Sequence, residues 1–121
     1  MIPPSPWVVR HLAAIPVAGR VLDLACGRGR HSRLLAGLGY EVVAVDRDFS
    51  AISTLHSVPG MTARQLDLEG EAWPLIGQAF DGIVVTNYLW RPRLPDVLAL
   101  LASGGALIYE TFMLEIGRAH V

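Results

Sequence analysis

Four apolar runs in this 121-residue chain each end in a side chain that can accept hydrogen bonds: Asp23 after "VL", Asp46 after "EVVAV", Asp67 after "TARQL" and Asn87 after "FDGIVVT". Between Asp23 and the next helical segment lies a small-residue loop, Ala25-Cys26-Gly27-Arg28-Gly29. A glycine-rich turn that opens a helix lets a ligand approach the backbone, and the helix start offers free N–H groups to a carboxylate or phosphate. An acid at the end of the following strand can accept both hydroxyls of a ribose. Together these features point to recognition of a nucleoside. They leave open whether it is an adenosylated methionine or a dinucleotide. For a dinucleotide the fingerprint needs a third small residue. With Gly27 and Gly29 as its first two glycines, Ser32 falls at that place, and with Ala25 and Gly27 it is Arg30, so a side chain stands where helix and strand should pack closely.

The elements that must position these residues follow from the hydrophobic pattern. Ser5-Pro6 reads as a capped helix start, with the helix ending before Pro16. Residues 20–24 form a strand and residues 30–38 an amphipathic helix stopped by Gly39. Residues 41–45 form a second strand ending at Asp46, and Asp48 caps a helix reaching Ser57. Residues 62–66, 80–86 and 106–112 form three more strands, with a helix over residues 92–102 and an irregular stretch over 68–79. Strands alternating with helices at this spacing imply parallel βαβ units. The expected fold is therefore α/β, a doubly wound, mostly parallel sheet. Ligands of such sheets sit outside the carboxyl ends of the strands, which is where Asp23, Asp46, Asp67 and Asn87 would gather.

Composition narrows the partners. The chain is 52% hydrophobic with a formal net charge of −1, enough apolar content for one globular core and no electrostatic signature of a nucleic-acid or membrane binder. All ten basic residues are arginine, in keeping with a GC-rich bacterial genome. The single Cys26 cannot form an internal disulfide, and no secretory leader or spanning segment is read, so a cytoplasmic protein is expected. No His/Cys/carboxylate cluster has metal-ligand spacing, so no metal is expected, nor an obligate protein partner. The last residues, "EIGRAHV", are what a common sequencing adapter encodes in frame. Residues 1–114 are therefore expected to be an incomplete domain and residues 115–121 a non-native tail.

"VLDLACGRG" resembles the first motif of the seven-stranded, Rossmann-like S-adenosylmethionine-dependent methyltransferases, with Ala25 in place of the usual first glycine. "VVAVDRD", "QLDLEG" and "FDGIVVTNYL" resemble the family's second-, third- and fourth-strand motifs. The combination is similar to the small-molecule branch that includes tellurite-resistance and thiopurine-type enzymes. The resemblance implies strand order 3-2-1-4-5, S-adenosylmethionine as cofactor and a small-molecule methyl acceptor. It also implies a C-terminal helix and antiparallel strand pair, which are expected to be missing from residues 1–121. It places Asp23 near the methionine ammonium and Ala25, Cys26, Gly27 and Gly29 along the methionine and ribose. Asp46 and Arg47 fall at the ribose, Asp67 and the Leu68 N–H at adenine, and Asn87 and Tyr88 beside the sulfonium. Asp23 would then be tolerated because its strand ends at the ligand rather than in the sealed core.

Tyr88, His31 and Glu110 are the candidates for catalysis. His31, in the first turn of its helix, reads more readily as a solvated or capping-region histidine than as a base. Trp7 and Trp90 are candidate substrate aromatics or plain core, and Arg10, Arg28 and Arg30 could reach a substrate carboxylate or be ordinary surface arginines.

Overall fold

The computed structural model describes residues 3–86, 88 and 91–110. Five strands, β1 (Arg20–Leu24), β2 (Glu41–Asp46), β3 (Met61–Gln65), β4 (Phe80–Thr86) and β5 (Leu101–Glu110), form one parallel sheet in the order β3-β2-β1-β4-β5. The order expected from the resemblance is the one observed. Asp23 pairs in register with Ala44 and Val84, and Asp46 with Gln65, so the strand ends bearing acids lie along one edge.

Both faces are covered. Helices α1 (Pro6–His11) and α2 (Arg30–Gly37) bury Val8 and Leu35 against Val21, Val42, Val84 and Ile108. On the same face α3 (Phe49–Ile52) and the turns after it set Ile52 and Leu55 over Ala44. The opposite face is closed by α4 (Leu94–Leu98) with Val97, and by Trp73 and Leu75 from the irregular stretch, packed on Leu22, Leu24, Val43, Val45, Ile83 and Val85. Alternate residues of one strand thus enter different cores, which is why the strands read as nearly continuous apolar runs.

The expected start of α1 is present: Ser5 Oγ accepts from the N–H groups of Trp7 and Val8, and Pro6 occupies the first helical position. Two helices are shorter than expected. Asp48 caps α3 through the Ser50 N–H at 2.9 Å, yet the helix stops at Ile52 instead of Ser57. Ser53 Oγ and Thr54 Oγ1 donate back to the carbonyls of Ser50 and Ala51, and such side-chain bonds compete with a continuing helix. The helix expected over residues 92–102 is a 3₁₀ turn, Arg91–Arg93, followed by α4. Its end is drawn into the sheet: Phe80 N–H donates to Leu100 O at 2.7 Å and Leu101 pairs with Phe80. The register then shifts so that Ala106 pairs with Gly82, and the four residues between loop out around Gly104 at φ 81°. Sequence reasoning saw only the second part of β5, because Ser103-Gly104-Gly105 reads as a breaker. The end of that expected strand and the 115–121 tail lie outside the described residues.

Candidate functional site

The loop after β1 is held in left-handed backbone at three positions: Ala25 (φ 56°), Gly27 (φ 58°) and Gly29 (φ 81°). Ala25 has a Cβ and pays about 1 kcal/mol or more for that conformation. The two glycines serve different ends. A Cβ on Gly29 would lie 2.7 Å from Leu55 Cδ2, so this glycine lets the loop close onto the α3 side. A Cβ on Gly27 would meet nothing within 4 Å, so its open side is free for a ligand.

Asp46 ties this loop to the end of β2. Its Oδ2 accepts the Gly27 N–H at 2.8 Å and its Oδ1 accepts the Asp48 N–H at 2.9 Å. A carboxylate offers about four lone-pair directions, so two backbone donors fix its orientation and leave capacity for two hydroxyls. Asp46 borders a cleft of about 240 Å³ whose other walls are Ala25, Arg47, Leu66, Asp67, Leu68, Glu69 and Tyr88. Of the residues named from sequence, the fold brings Ala25, Asp46, Arg47, Asp67, Leu68 and Tyr88 to this one cleft. Asp67 Oδ1 accepts the Glu69 N–H at 3.0 Å and so shapes the turn that follows β3.

Asp23 lies beneath the loop. The expectation that it stands outside the sealed core is not met: it is 1% exposed. Its Oδ2 accepts from Ser32 Oγ, while Oδ1 is buried with no hydrogen-bond partner among the described residues. Burial pushes its pKa up to about 6, against the opposing pull of the Ser32 bonds. A buried carboxylate acceptor left unpaired is costly, and a ligand ammonium or a bridging water would satisfy it. Ser32 is itself fully buried and occupies the space between α2 and β1 that a dinucleotide fingerprint reserves for a third glycine. Cys26 donates its thiol to Gly27 O at 3.4 Å, and burial with Asp23 and Asp46 nearby raises its pKa, so it is a protonated thiol packed against Ala44, Ile52 and Leu55.

His31 and Glu110 belong to a second cluster, on the α1 side. His31 is 2% exposed and its Nε2 accepts the Ser5 N–H at 2.9 Å, while Ser5 Oγ donates to Glu110 Oε1. Burial, with Arg30 beside it, lowers the His31 pKa to about 4. A neutral imidazole whose Nε2 is taken by a backbone donor holds the helix start in place and is not poised to remove a substrate proton. Ser5, which links three elements, was read from the sequence only as a cap. Asn87 and Trp90 lie outside the described residues. Among the described residues no three His, Cys, Asp or Glu side chains converge as a metal site, and no helix is long and apolar enough to cross a membrane.

A parallel sheet in this order, with a glycine loop after β1 anchored to an acid at the end of β2, defines a Rossmann-like nucleoside-binding fold. Residues 21–105 match the methyltransferase domain family, and the chain belongs to it. It is 32% identical to a protein-L-isoaspartate O-methyltransferase of Chlorobaculum tepidum, over 86% of this chain and 52% of that protein. It is 30% identical to a tRNA U34 carboxymethyltransferase of Methylococcus capsulatus, over 85% of this chain and 35% of that one. The chain thus spans about half or less of the length of these curated relatives. Among solved structures it is similar to a TehB-like SAM-dependent methyltransferase from Corynebacterium glutamicum, with a TM-score of 0.65 and 26% identity, covering 78% of this chain and 56% of that one.

Proposed function

We propose that this chain binds S-adenosylmethionine in the cleft at the ends of β1, β2 and β3 and serves methyl transfer to a small-molecule acceptor. The observation that carries the reading is the Asp46 carboxylate, aimed by the Gly27 and Asp48 N–H groups at the wall of a cleft that also holds Asp67 and Leu68. When bound, the cofactor supplies a methyl group activated on a sulfonium.

The chain's residues bind and orient. Asp46 accepts the ribose hydroxyls through its remaining lone pairs, and the open side of Gly27 lets the backbone lie along the ribose and methionine. Asp67 accepts from the adenine amino group, while Leu68 offers its N–H and an apolar wall. Arg47 flanks the ribose, and the Tyr88 ring stands on the sulfonium side. Asp23, through the unpaired Oδ1, answers the methionine ammonium directly or across a water. Cys26 and Gly29 keep the loop in shape. In-line displacement at a methyl group asks mainly for such positioning and exclusion of water, with a base only where the acceptor must lose a proton.

A small, uncharged or weakly charged acceptor fits a chain of net charge −1, and a cytoplasmic site fits a chain with one cysteine. Calorimetric titration tests the cofactor: S-adenosylmethionine and S-adenosylhomocysteine bind and NAD does not. Binding of NAD alone overturns the reading. Methyl transfer is then assayed against thiols, selenite and tellurite, with an isoaspartyl peptide and tRNA as competing acceptors. Turnover of either macromolecule and none of the small molecules overturns the acceptor class, and cofactor binding with no turnover on any acceptor leaves a nucleoside-binding module.

A further inference from the structure

The β3 and β4 sides of the nucleoside cleft are bridged, although β2 and β1 lie between those strands in the sheet. Glu69, just past β3, and Tyr88, just past β4, border the cleft, and Tyr88 Oη donates to Glu69 Oε2 at 2.9 Å. Both ends of the bridge are anchored to backbone. On the β3 side the Glu69 N–H is fixed by Asp67, and Arg93 Nη2 donates to Gly70 O at 2.7 Å and Glu71 O at 2.9 Å. Arg93 is held in turn by Asp96 at 3.1 Å and lies over the Trp73 ring. On the β4 side Tyr109 Oη, from β5, donates to Tyr88 O at 3.2 Å. Hydrogen bonds through Glu69 and Tyr88 thus link the end of β3 to β5.

We propose that the Glu69–Tyr88 hydrogen bond is a latch between these two sides of the cleft that sets the rates at which a nucleoside ligand enters and leaves, with Arg93 as the positioning residue that holds the Glu69 side. This inference rests on the cleft being the nucleoside site. The latch is formed in the protein by itself, so its free energy is common to the free and bound states and contributes little to equilibrium affinity. It must break for passage in either direction. Burial and the neighbouring Glu69 carboxylate raise the Tyr88 pKa, so the hydroxyl remains a donor through the physiological range.

The test is stopped-flow binding of S-adenosylhomocysteine to the full chain and to Tyr88→Phe, which keeps the ring, and Glu69→Ala, at an exposed position. Each variant should raise both the association and dissociation rate constants about fivefold, the worth of one net hydrogen bond, and in Glu69→Ala, which removes no assigned ligand contact, Kd should change less than twofold. The double variant should be no faster than either single one, and Glu69→Gln, which keeps an acceptor oxygen, should return most of the slowing. In Glu69→Ala, a weaker Kd with an unchanged association rate would make Glu69 an ordinary ligand contact and overturn the latch, as would rates equal to those of the unaltered chain. If calorimetry shows that the unaltered chain does not bind S-adenosylhomocysteine, the nucleoside reading itself fails and the latch falls with it.

Discussion

Replacing Asp46 probes the site at its anchor. In Asp46→Ala the Gly27 N–H and the Asp48 N–H lose their acceptors at 2.8 and 2.9 Å, and the ribose hydroxyls lose theirs. The two backbone donors lie near the surface and water can replace the carboxylate there, so folding should lose only about 1 kcal/mol. The ribose pair is a charge-assisted, bidentate interaction inside the cleft, worth about 1.5 to 3 kcal/mol. At about 1.4 kcal/mol per decade this is roughly a 10- to 150-fold loss of affinity for S-adenosylmethionine. Asp46→Asn should fall between, because its one carbonyl oxygen cannot serve Gly27, Asp48 and a ribose together. Calorimetric titration at pH 7.5, with circular dichroism to verify the fold, gives the answer. Affinity within twofold of the unaltered chain in a folded Asp46→Ala protein would refute the ribose assignment.

The two loop glycines should separate: Gly29→Ala, which drives a Cβ into Leu55 at φ 81°, should cost roughly 2 to 4 kcal/mol in urea unfolding, and Gly27→Ala, facing open space, about 1 kcal/mol. Of the pair, Gly27→Ala should be the one that weakens S-adenosylhomocysteine binding beyond its effect on stability, and equal effects of both on stability would contradict the packing at Leu55. For Asp23 the folded pKa of about 6 lies above the unfolded value of 3.8, so its contribution to stability is present below pH 4 and is lost as pH rises through 6. Asp23→Asn should therefore stabilise the chain at pH 8 by about 1 to 3 kcal/mol while weakening S-adenosylmethionine binding, and a lower thermal midpoint at pH 8 would show that the buried charge is paired after all. His31 runs the other way. Its folded value of about 4 lies below the ordinary 6.5, so its contribution is present above pH 6.5 and is lost as pH falls toward 4. In His31→Gln, which retains an acceptor for the Ser5 N–H, that loss between pH 6.5 and 4 should shrink, as read from thermal midpoints across the range; an unaltered profile would remove His31 from the account.

The strands, their alternation with helices and the row of acids along one edge were legible in the sequence because they are written in short-range periodicity. An apolar run ended by Asp, followed by small residues and then an amphipathic segment, constrains the backbone within a few residues. The ends of α3 and α4 were misjudged for the same reason: Ser/Thr back-bonding and the capture of Leu100 and Leu101 by Phe80 add interactions that a periodic pattern does not carry. Ala25, Asp46, Arg47, Asp67, Leu68 and Tyr88 were legible as neighbours, whereas Leu66 and Glu69 were not, nor was it legible which oxygens remain free. That depends on partners brought together by packing, such as Gly27 on Asp46 and Ser32 on Asp23. Tertiary structure alone decided that Asp23 is sealed beneath the loop. It also decided that His31 and, from the far end of the chain, Glu110 meet Ser5, and that Glu69 reaches Tyr88. Sequence periodicity fixes which face a side chain takes on its own element, whereas its partner, its solvation and therefore its charge state are set by whichever element the sheet order lays beside it.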